Sequence, residues 1–190
     1  QTEIGYDYEK YEYITTVKEY TTDRDYNAKG RPILERTVDE TGKVTKTITW
    51  DYYDNGRVAR QETKVTDGNT TLESYNSKGN ETLYRVTDKD GNISNETVVE
   101  YWPDLSTKKK EVDFDSYYGT TTTTYNDKGY ELEEINTDKS GNIKYSRNYT
   151  YAEDNKTKTQ PFIEYNKARH NSSKISKRKH HRKNLLSNVG

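Results

Sequence analysis

The chain of 190 residues carries 31 basic and 32 acidic side chains and is only 28% apolar, against the roughly 45–50% of typical globular domains. A compact two-layer globule with a large dry core is therefore not expected. The absence of cysteine excludes disulfides, thiolate metal sites and a cysteine nucleophile.

The composition nevertheless favours ordered β-structure over disorder. Disordered chains combine high charge with few aromatic and β-branched residues. This chain contains 19 tyrosines and many threonines, valines and isoleucines, all of which favour strands. Tyrosine needs water or a hydrogen-bond partner for its hydroxyl, so it suits a half-buried sheet face rather than a dry core. No run of 18 apolar residues occurs, and we expect no membrane span.

Residues 1–25 are predicted to form a degenerate N-terminal hairpin that caps the fold. Tyrosines alternate there with polar residues, as expected of strands with one half-buried face. These tyrosines are Tyr6, Tyr8, Tyr11, Tyr13 and Tyr20. The chain begins with Gln1 and contains no methionine. From this we expect that an upstream segment, either a signal sequence or more of a longer protein, has been removed.

Residues 26–160 contain an internal repeat in which a tyrosine precedes turn-forming residues. The copies begin at Tyr26, Tyr53, Tyr75, Tyr101, Tyr125 and Tyr151, with a mean spacing of 25 residues. Midway through the copies lie second turns at 39–42, 67–69, 88–91 and 138–141, replaced in the fourth copy by the longer segment 113–119. Asn and Asp bond to nearby backbone N–H groups and Gly permits positive φ, so both series predict tight reversals.

Turns at this spacing leave room for strands of about eight residues and none for helices of ordinary length. Around Trp50, the alternation places Val44, Ile48 and Tyr52 on the face of Trp50, with threonines on the other face. We therefore predict an all-β fold, an elongated antiparallel β-meander of tandem hairpin repeats. It would contain ten to twelve short strands and negligible helix before residue 160.

The repeat resembles the YD repeat of RHS-type proteins, in which Tyr-Asp/Asn-x-x-Gly-Arg precedes Asp-x-x-Gly by about eight residues. The best copies are 26–50 with Gly30-Arg31 and 53–65 with Gly56-Arg57. Asn80 and Tyr130 replace the arginine in two other copies, and the fourth copy matches poorly. The segment 52–56 is also similar to short MORN-2-like repeats. The resemblance covers residues 26–155.

This resemblance implies an exported or surface-exposed protein with a long curling β-sheet. YD-repeat proteins are found in bacteria and in animal adhesion proteins, and some form shells around a toxin. Their repeats are associated with carbohydrate binding and cell contact. The large members have many more repeats than this chain, so a closed shell is not implied here.

Residues 161–190 are predicted to form a basic C-terminal tail. Residues 165–190 hold eight Lys and Arg and no acid, whereas residues 1–164 carry a net charge of −9. The candidate contact residues in the tail are Lys177, Arg178, Lys179, Arg182 and Lys183. Three interpretations stay open: a solvated tail, a contact with a polyanion, or a clasp on the acidic body of the same or another copy.

Catalysis is not expected. All three histidines, His170, His180 and His181, lie in the tail, and no pair among the 32 acids is singled out for glycoside hydrolysis. The segment 88–92 alternates oxygen ligands before a glycine, as a calcium loop does, but lacks the bidentate glutamate. A plain turn is therefore favoured there, and we predict no catalytic residue, no metal site and no cofactor.

The aromatic residues admit two interpretations. A cross-strand ladder of tyrosines would replace an aliphatic core, which is the favoured interpretation. If exposed, the same ladder would offer a platform for sugar rings or for a protein. The candidate ligand-binding residues are Trp50, Tyr52, Tyr101 and Trp102, which include both tryptophans of the chain.

These features predict a non-enzymatic, exported structural or adhesive repeat protein, secreted by or displayed on bacteria. Its expected ligand is carbohydrate or a protein partner, and exposed sheet edges could also mediate self-assembly into homo-oligomers. Two alternatives are a fragment of a larger RHS-type toxin shell and a polyanion-binding protein that uses the tail. Nucleic acid is expected only at the tail, because the acidic body would repel phosphates.

Overall fold

A computed structural model describes residues 2–17, 19–151, 158–159 and 163–165, with side chains described for residues 8–11 and 19–151. The described residues form sixteen strands and no helix, so this part of the chain contains no helix that could cross a membrane. The predicted all-β fold is confirmed. It is a single antiparallel meander of hairpins.

The strands are β1 (Thr2–Asp7), β2 (Glu12–Val17), β3 (Tyr20–Tyr26), β4 (Pro32–Asp39), β5 (Val44–Tyr52), β6 (Val58–Val65), β7 (Thr70–Tyr75), β8 (Glu81–Thr87), β9 (Ile93–Tyr101), β10 (Lys108–Asp115), β11 (Gly119–Tyr125), β12 (Glu131–Thr137), β13 (Ile143–Asn148), β14 (Thr150–Tyr151), β15 (Lys158–Thr159) and β16 (Ile163–Tyr165).

The main sheet has twelve strands. Strands β3 to β13 follow one another in chain order, and β16 pairs with β13 at the edge. Strands β1 and β2 pair only with each other, as do β14 and β15. A hairpin therefore lies within the predicted cap, while Tyr20–Tyr26 is a strand of the main sheet.

Local turn chemistry closes each hairpin as the sequence indicates. After β3, the side-chain Oδ1 of Asn27 accepts hydrogen bonds from the backbone N–H groups of Lys29 and Arg31, at 2.9 and 3.1 Å. Gly30 then takes a φ of 73°, which favours glycine. In the turn after β4, Oδ1 of Asp39 accepts the equivalent hydrogen bonds, and Gly42 takes the positive φ.

A β-bulge at Lys109 follows the turn after β9, which contains no glycine. Seven further turns are each followed by a β-bulge three residues after the turn glycine. The unpaired residues are Ile33, Thr45, Ala59, Thr82, Ser94, Leu132 and Lys144. Each bulge shifts the alternation of the outgoing strand by one residue. The prediction that Val44 shares a face with Ile48 is therefore wrong, because Thr45 lies between them as the extra residue and Val44 pairs with Val38 on the opposite face.

The hairpins also alternate in type, so the structural repeat is a unit of four strands. The hairpins β6–β7 and β10–β11 have an unshifted register. The Tyr-Asn-x-Lys-Gly turns begin at Tyr26, Tyr75 and Tyr125, which are 49 and 50 residues apart. Each four-strand unit therefore contains two predicted repeats of about 25 residues. We call β4–β7 the first unit and β8–β11 the second.

The sheet is a single layer, because contacts between strands run between sheet neighbours. Where side chains are described, Val99 and Tyr149 are the only buried hydrophobic residues. One continuous row of register partners crosses the sheet from β5 to β13, and we call it the central row. It consists of Trp50, Gln61, Glu73, Tyr84, Thr97, Asp113, Thr121, Asn136 and Tyr145. Because register partners lie on one face, we call this side of the sheet the tyrosine face.

Candidate functional site

The four aromatic residues predicted from the sequence do not come together. Trp50 and Tyr52 lie on β5, Tyr101 ends β9, and Trp102 lies in the turn that follows. Strands β5 and β9 are four strand steps apart, or about 19 Å at the usual spacing. The structure therefore divides the predicted site into two separate pairs.

The polar atoms of Trp50, Tyr52 and Tyr101 hold neighbouring strands together. The indole N–H of Trp50 donates to Oε1 of Gln61 at 2.7 Å. The hydroxyl of Tyr52 donates to the carbonyl of Pro32 at 2.8 Å, and that of Tyr101 to the carbonyl of Glu81 at 2.7 Å. Burial raises the pKa of the Tyr101 hydroxyl, so it remains a donor. These contacts connect adjacent strands, which favours the structural interpretation of the three side chains.

Trp102 connects neighbouring turns instead of strands. Its indole N–H donates to the carbonyl of Asn126 at 3.0 Å, and the ammonium of Lys109 lies 5.7 Å from its ring centre. Tyr53, the matching residue of the first unit, likewise donates its hydroxyl to the carbonyl of Tyr75 at 2.7 Å. The shared role in both units indicates that an aromatic side chain here joins successive turns.

The predicted tail contacts and the calcium-like segment do not add a site within the described residues. The five tail residues Lys177, Arg178, Lys179, Arg182 and Lys183 lie outside the described residues. In the 88–92 segment, Oδ1 of Asp88 accepts the backbone N–H groups of Asp90 and Asn92, at 2.9 and 2.8 Å. These hydrogen bonds, chiefly that from Asn92, lower the pKa of Asp88. Among the residues that the structure describes, no group of three or more metal-ligating side chains could hold a metal ion.

A different group of side chains forms an open groove of about 460 Å³ on the tyrosine face of the second unit. We call it the polar groove. Its lining residues are Tyr84, Asn95, Thr97, Asp113, Phe114, Asp115, Tyr118, Gly119, Thr121 and Asn136. Five of them are consecutive members of the central row, on the adjacent strands β8 to β12. The groove therefore runs across the strands.

Side-chain hydrogen bonds order the floor of the polar groove. The hydroxyl of Thr97 donates to Oδ1 of Asp113 at 2.7 Å. The amide of Asn136 donates to the hydroxyl of Thr121 at 2.9 Å. A carboxylate can accept about four hydrogen bonds, and an amide group offers two N–H groups and an oxygen. The ordered groups thus keep unused hydrogen-bonding capacity on a solvent-facing surface.

The turn between β10 and β11 forms one rim of the groove and exposes two aromatic rings. Tyr117 and Tyr118 are 84% and 73% exposed, and their ring centres are 6.4 Å apart. The carboxylate of Asp115 accepts the backbone N–H groups of both tyrosines at Oδ1, at 2.7 and 2.9 Å, and the amide of Asn95 at Oδ2, at 3.0 Å. These donors, the N–H of Tyr117 foremost, lower the pKa of Asp115. The turn is therefore fixed at its base while both rings face solvent.

The first unit offers an internal comparison, because its strands match those of the second in register. Ile48 pairs with Thr63 in the first unit as Thr97 pairs with Asp113 in the second. The corresponding residues of the two units are Ile48 and Thr97, Thr63 and Asp113, Val65 and Asp115, Lys46 and Asn95, Gly68 and Tyr118. The same fold thus forms with apolar or small residues at most of these positions, so the polar and aromatic groups of the groove are not needed to build the sheet.

A second open groove, of about 450 Å³, lies at the opposite end of the strands. Its lining includes Arg57, Gln61 and Tyr75. The guanidinium of Arg57 donates to the carbonyl of Lys78, and Oε1 of Gln61 accepts from Trp50. These polar groups already connect elements of the scaffold, so the polar groove is the stronger candidate.

The sequence held one indication of the polar groove. The segment 113–119 departs from the short Asp-x-x-Gly turns of the other copies, and it contributes five residues to the groove lining. The residues on β8, β9 and β12 carry no local signal, because their neighbours along the chain do not show which strands will be adjacent. The register across five strands brings them together.

No family model and no curated protein matches this chain. Among solved structures, a protein of unknown function from Bacteroides fragilis is similar at 9% identity, with 78% of this chain and 92% of that chain covered, at a TM-score of 0.20. A TM-score of this size supports no statement about fold or function. The class of protein is therefore defined by its own geometry, as a single-layer antiparallel meander with a polar groove across five strands.

Proposed function

We propose that this chain is a non-enzymatic adhesive binding module that holds carbohydrate in the polar groove. The observation that carries the proposal is the groove itself, in which amide, hydroxyl and carboxylate groups line an open cleft beside the exposed ring of Tyr118. An exported location, predicted from the sequence, suits such a module.

The chemistry of the lining fits a polyhydroxylated ligand. Neighbouring sugar hydroxyls both donate and accept hydrogen bonds, so they match paired carboxylate and amide groups such as Asp115 and Asn95. A sugar ring also has an apolar C–H face, which packs against an aromatic ring such as that of Tyr118. An apolar ligand would cover the remaining hydrogen-bonding groups of the floor without replacing the water that satisfies them, at a cost in free energy.

Binding is favoured over glycoside hydrolysis. Asp113 and Asp115 are two residues apart on one face of β10, a separation of about 7 Å that would suit a pair of catalytic carboxylates. A glycosidase requires one carboxylic acid with a raised pKa to protonate the leaving group. The backbone N–H groups of Tyr117 and Tyr118 lower the pKa of Asp115 instead, which keeps this carboxyl ionised.

The test is retention of the protein on a glycan array. We expect binding to at least one glycan class, and we expect Tyr118→Ala and Asp113→Asn to reduce it by about tenfold or more, because each removes a group that faces the ligand. Matched controls are Tyr26→Ala, an exposed tyrosine on β3, and Asp51→Asn, an exposed acid on β5. Failure of the folded protein to bind any glycan, or binding that neither groove variant weakens, would refute the proposal.

A further inference from the structure

The floor of the polar groove is a regular row, with one side chain from each of five adjacent strands. From β8 to β12, the row reads Tyr84, Thr97, Asp113, Thr121 and Asn136. Thr97 is hydrogen-bonded to Asp113, and Asn136 to Thr121, across neighbouring strands of the row. The ligand therefore meets a periodic surface whose repeat is the distance between strands.

That repeat matches the size of a sugar residue. Strands in a sheet lie about 4.8 Å apart, so the row from Tyr84 to Asn136 spans about 19 Å. A pyranose residue in an extended chain is comparable in length to this spacing, so successive sugars would meet successive strands. A chain laid across the strands would keep this match over about four residues, whereas a compact branched glycan would not.

The ends of the row are open. The central row continues into Glu73 on β7 beyond Tyr84, and into Tyr145 on β13 beyond Asn136. In the described part of the chain, the strands in extensive contact are all neighbours within a sheet, so they lie side by side and leave this face of the groove open. A chain longer than the row could therefore extend past both ends.

The charges of the groove favour an uncharged chain. Asp113 and Asp115 contribute two carboxylates. The nearby cation is Lys144, whose ammonium donates to the backbone carbonyl of Tyr118 at 2.8 Å on the rim. Asn95 of the second unit occupies the position that Lys46 occupies in the first unit. The second unit therefore has one cation fewer at its groove. Acidic sugars would thus be repelled.

We propose that the polar groove binds an internal segment of an uncharged, extended, linear polysaccharide that lies across strands β8 to β12, with about one sugar per strand. This inference rests on the proposed function and deepens it. The site is formed by the second unit together with β12, because the equivalent row that begins in the first unit reads Glu35, Ile48, Thr63, Thr71 and Val86 and offers fewer hydrogen-bonding groups.

The experiment is calorimetric titration of the full chain with β-1,4-linked glucose and N-acetylglucosamine oligomers of one to six residues. We expect affinity in one of these series to rise by about tenfold or more from the monomer to the tetramer and then to level off. We expect α-1,4-linked glucose oligomers, which curve, to bind more weakly than the extended chains. Oligogalacturonides of equal length should bind at least about tenfold more weakly, because each residue brings a negative charge.

Variants at the two ends of the row sharpen the test. Tyr84→Ala and Asn136→Ala should weaken binding of the tetramer while leaving that of the dimer within about twofold, since only the longer chain reaches the ends. Thr63→Ala in the first unit is the matched control and should change neither. Circular dichroism of each variant confirms the sheet.

The two levels of the proposal fail differently. Equal affinity for monomer and tetramer, preference for curved or acidic chains, or no binding of either β-1,4 series while other glycans bind on the array would overturn the linear-chain inference and leave carbohydrate binding standing. Absence of binding to every glycan on the array would overturn both.

Discussion

Gly119 packs against the backbone carbonyl of Thr137 on the neighbouring strand. A Cβ at position 119 would overlap that oxygen, and the residue has a φ of 101°. Both features require glycine at the first residue of β11, which is also part of the polar groove. The rim of the groove is therefore joined to β12 by a contact that tolerates no side chain.

Gly119→Ala should lower the free energy of unfolding by about 2–4 kcal/mol, because it combines a positive φ with a backbone clash. The matched control is Gly141→Ala, which has a φ of 83° but no atom within 4 Å of the added Cβ. That variant should cost only about 1 kcal/mol, mainly from the conformational preference. Chemical denaturation measures both, and equal losses would contradict the close packing at Gly119.

Glu81 should make the fold less stable as pH rises. Burial foremost, and then the nearby carboxylates of Glu73 and Glu111, raise its pKa above the usual 4.5, against the opposing effect of the Lys108 ammonium. The folded state thus holds this proton more tightly than the unfolded state, so stability is lost as pH rises through this range. Glu81→Gln should resemble the parent at pH 4 and be relatively more stable at pH 7.

Denaturation curves at the two pH values measure this difference, and Glu40→Gln, at an exposed turn position, is the control. A Glu81→Gln variant whose stability relative to the parent did not change between pH 4 and pH 7 would show that the carboxylate is not destabilised in the fold.

Asp104 should stabilise the fold, and this contribution should be lost as pH falls. The hydroxyl of Thr107 donates to its Oδ2 at 2.6 Å, and with the backbone N–H groups of Ser106 and Thr107 it lowers the pKa to about 2. A lowered pKa stabilises the fold above the unfolded value of 3.8, and this contribution is lost as pH falls toward 2. Asp104→Asn should therefore be less stable than the parent at pH 6, with the gap narrowing below pH 4.

Acid titration followed by circular dichroism provides the measurement for Asp104→Asn. The comparison variant is Asp54→Asn, at an exposed position of the matching turn of the first unit, on the same end of the sheet. A constant gap between Asp104→Asn and the parent from pH 6 to pH 2 would mean that charge is not what Asp104 contributes.

A substitution at Trp50 distinguishes between two candidate binding sites, the aromatic residues predicted from the sequence and the polar groove. Trp50→Phe removes the hydrogen bond from the indole to Gln61 and leaves Oε1 of Gln61 without this donor. We expect a loss of about 1 kcal/mol in unfolding free energy and unchanged retention on glycans. Loss of glycan retention in a folded Trp50→Phe protein would indicate that the ligand binds at the aromatic residues of β5 and not in the polar groove.

Much of the fold could be predicted because hydrogen bonds and backbone preferences within a few residues determine its turns. Asn27 and Gly30 close a turn with atoms that lie within four residues of one another, so their effect does not depend on the rest of the chain. Repetition of such turns implied hairpins, and hairpins of successive strands imply a meander. The error at Val44 arose because a bulge depends on how two strands pair, which alternation within one strand does not reveal.

The candidate site was predicted far less well, for a related reason. Trp50 and Trp102 stood out by rarity, yet each indole N–H is satisfied by a partner on another element, Gln61 and Asn126. Thr97 and Asn136 are unremarkable as single residues in a chain rich in Thr and Asn. Their importance comes from lying three strand steps apart in one row of the sheet.

The sequence by itself determined the turns, the strand content and the antiparallel order of the main sheet, because backbone hydrogen bonding within a few residues dictates them. Only the tertiary structure decided which side chains share a face and which strands bring Tyr84, Asp113 and Asn136 into one groove. These residues are as many as 52 positions apart in the chain. The register of each of the four strand pairs from β8 to β12, including its bulges, decides which residues become neighbours. The composition of the groove is therefore a property of the assembled sheet and of no single segment.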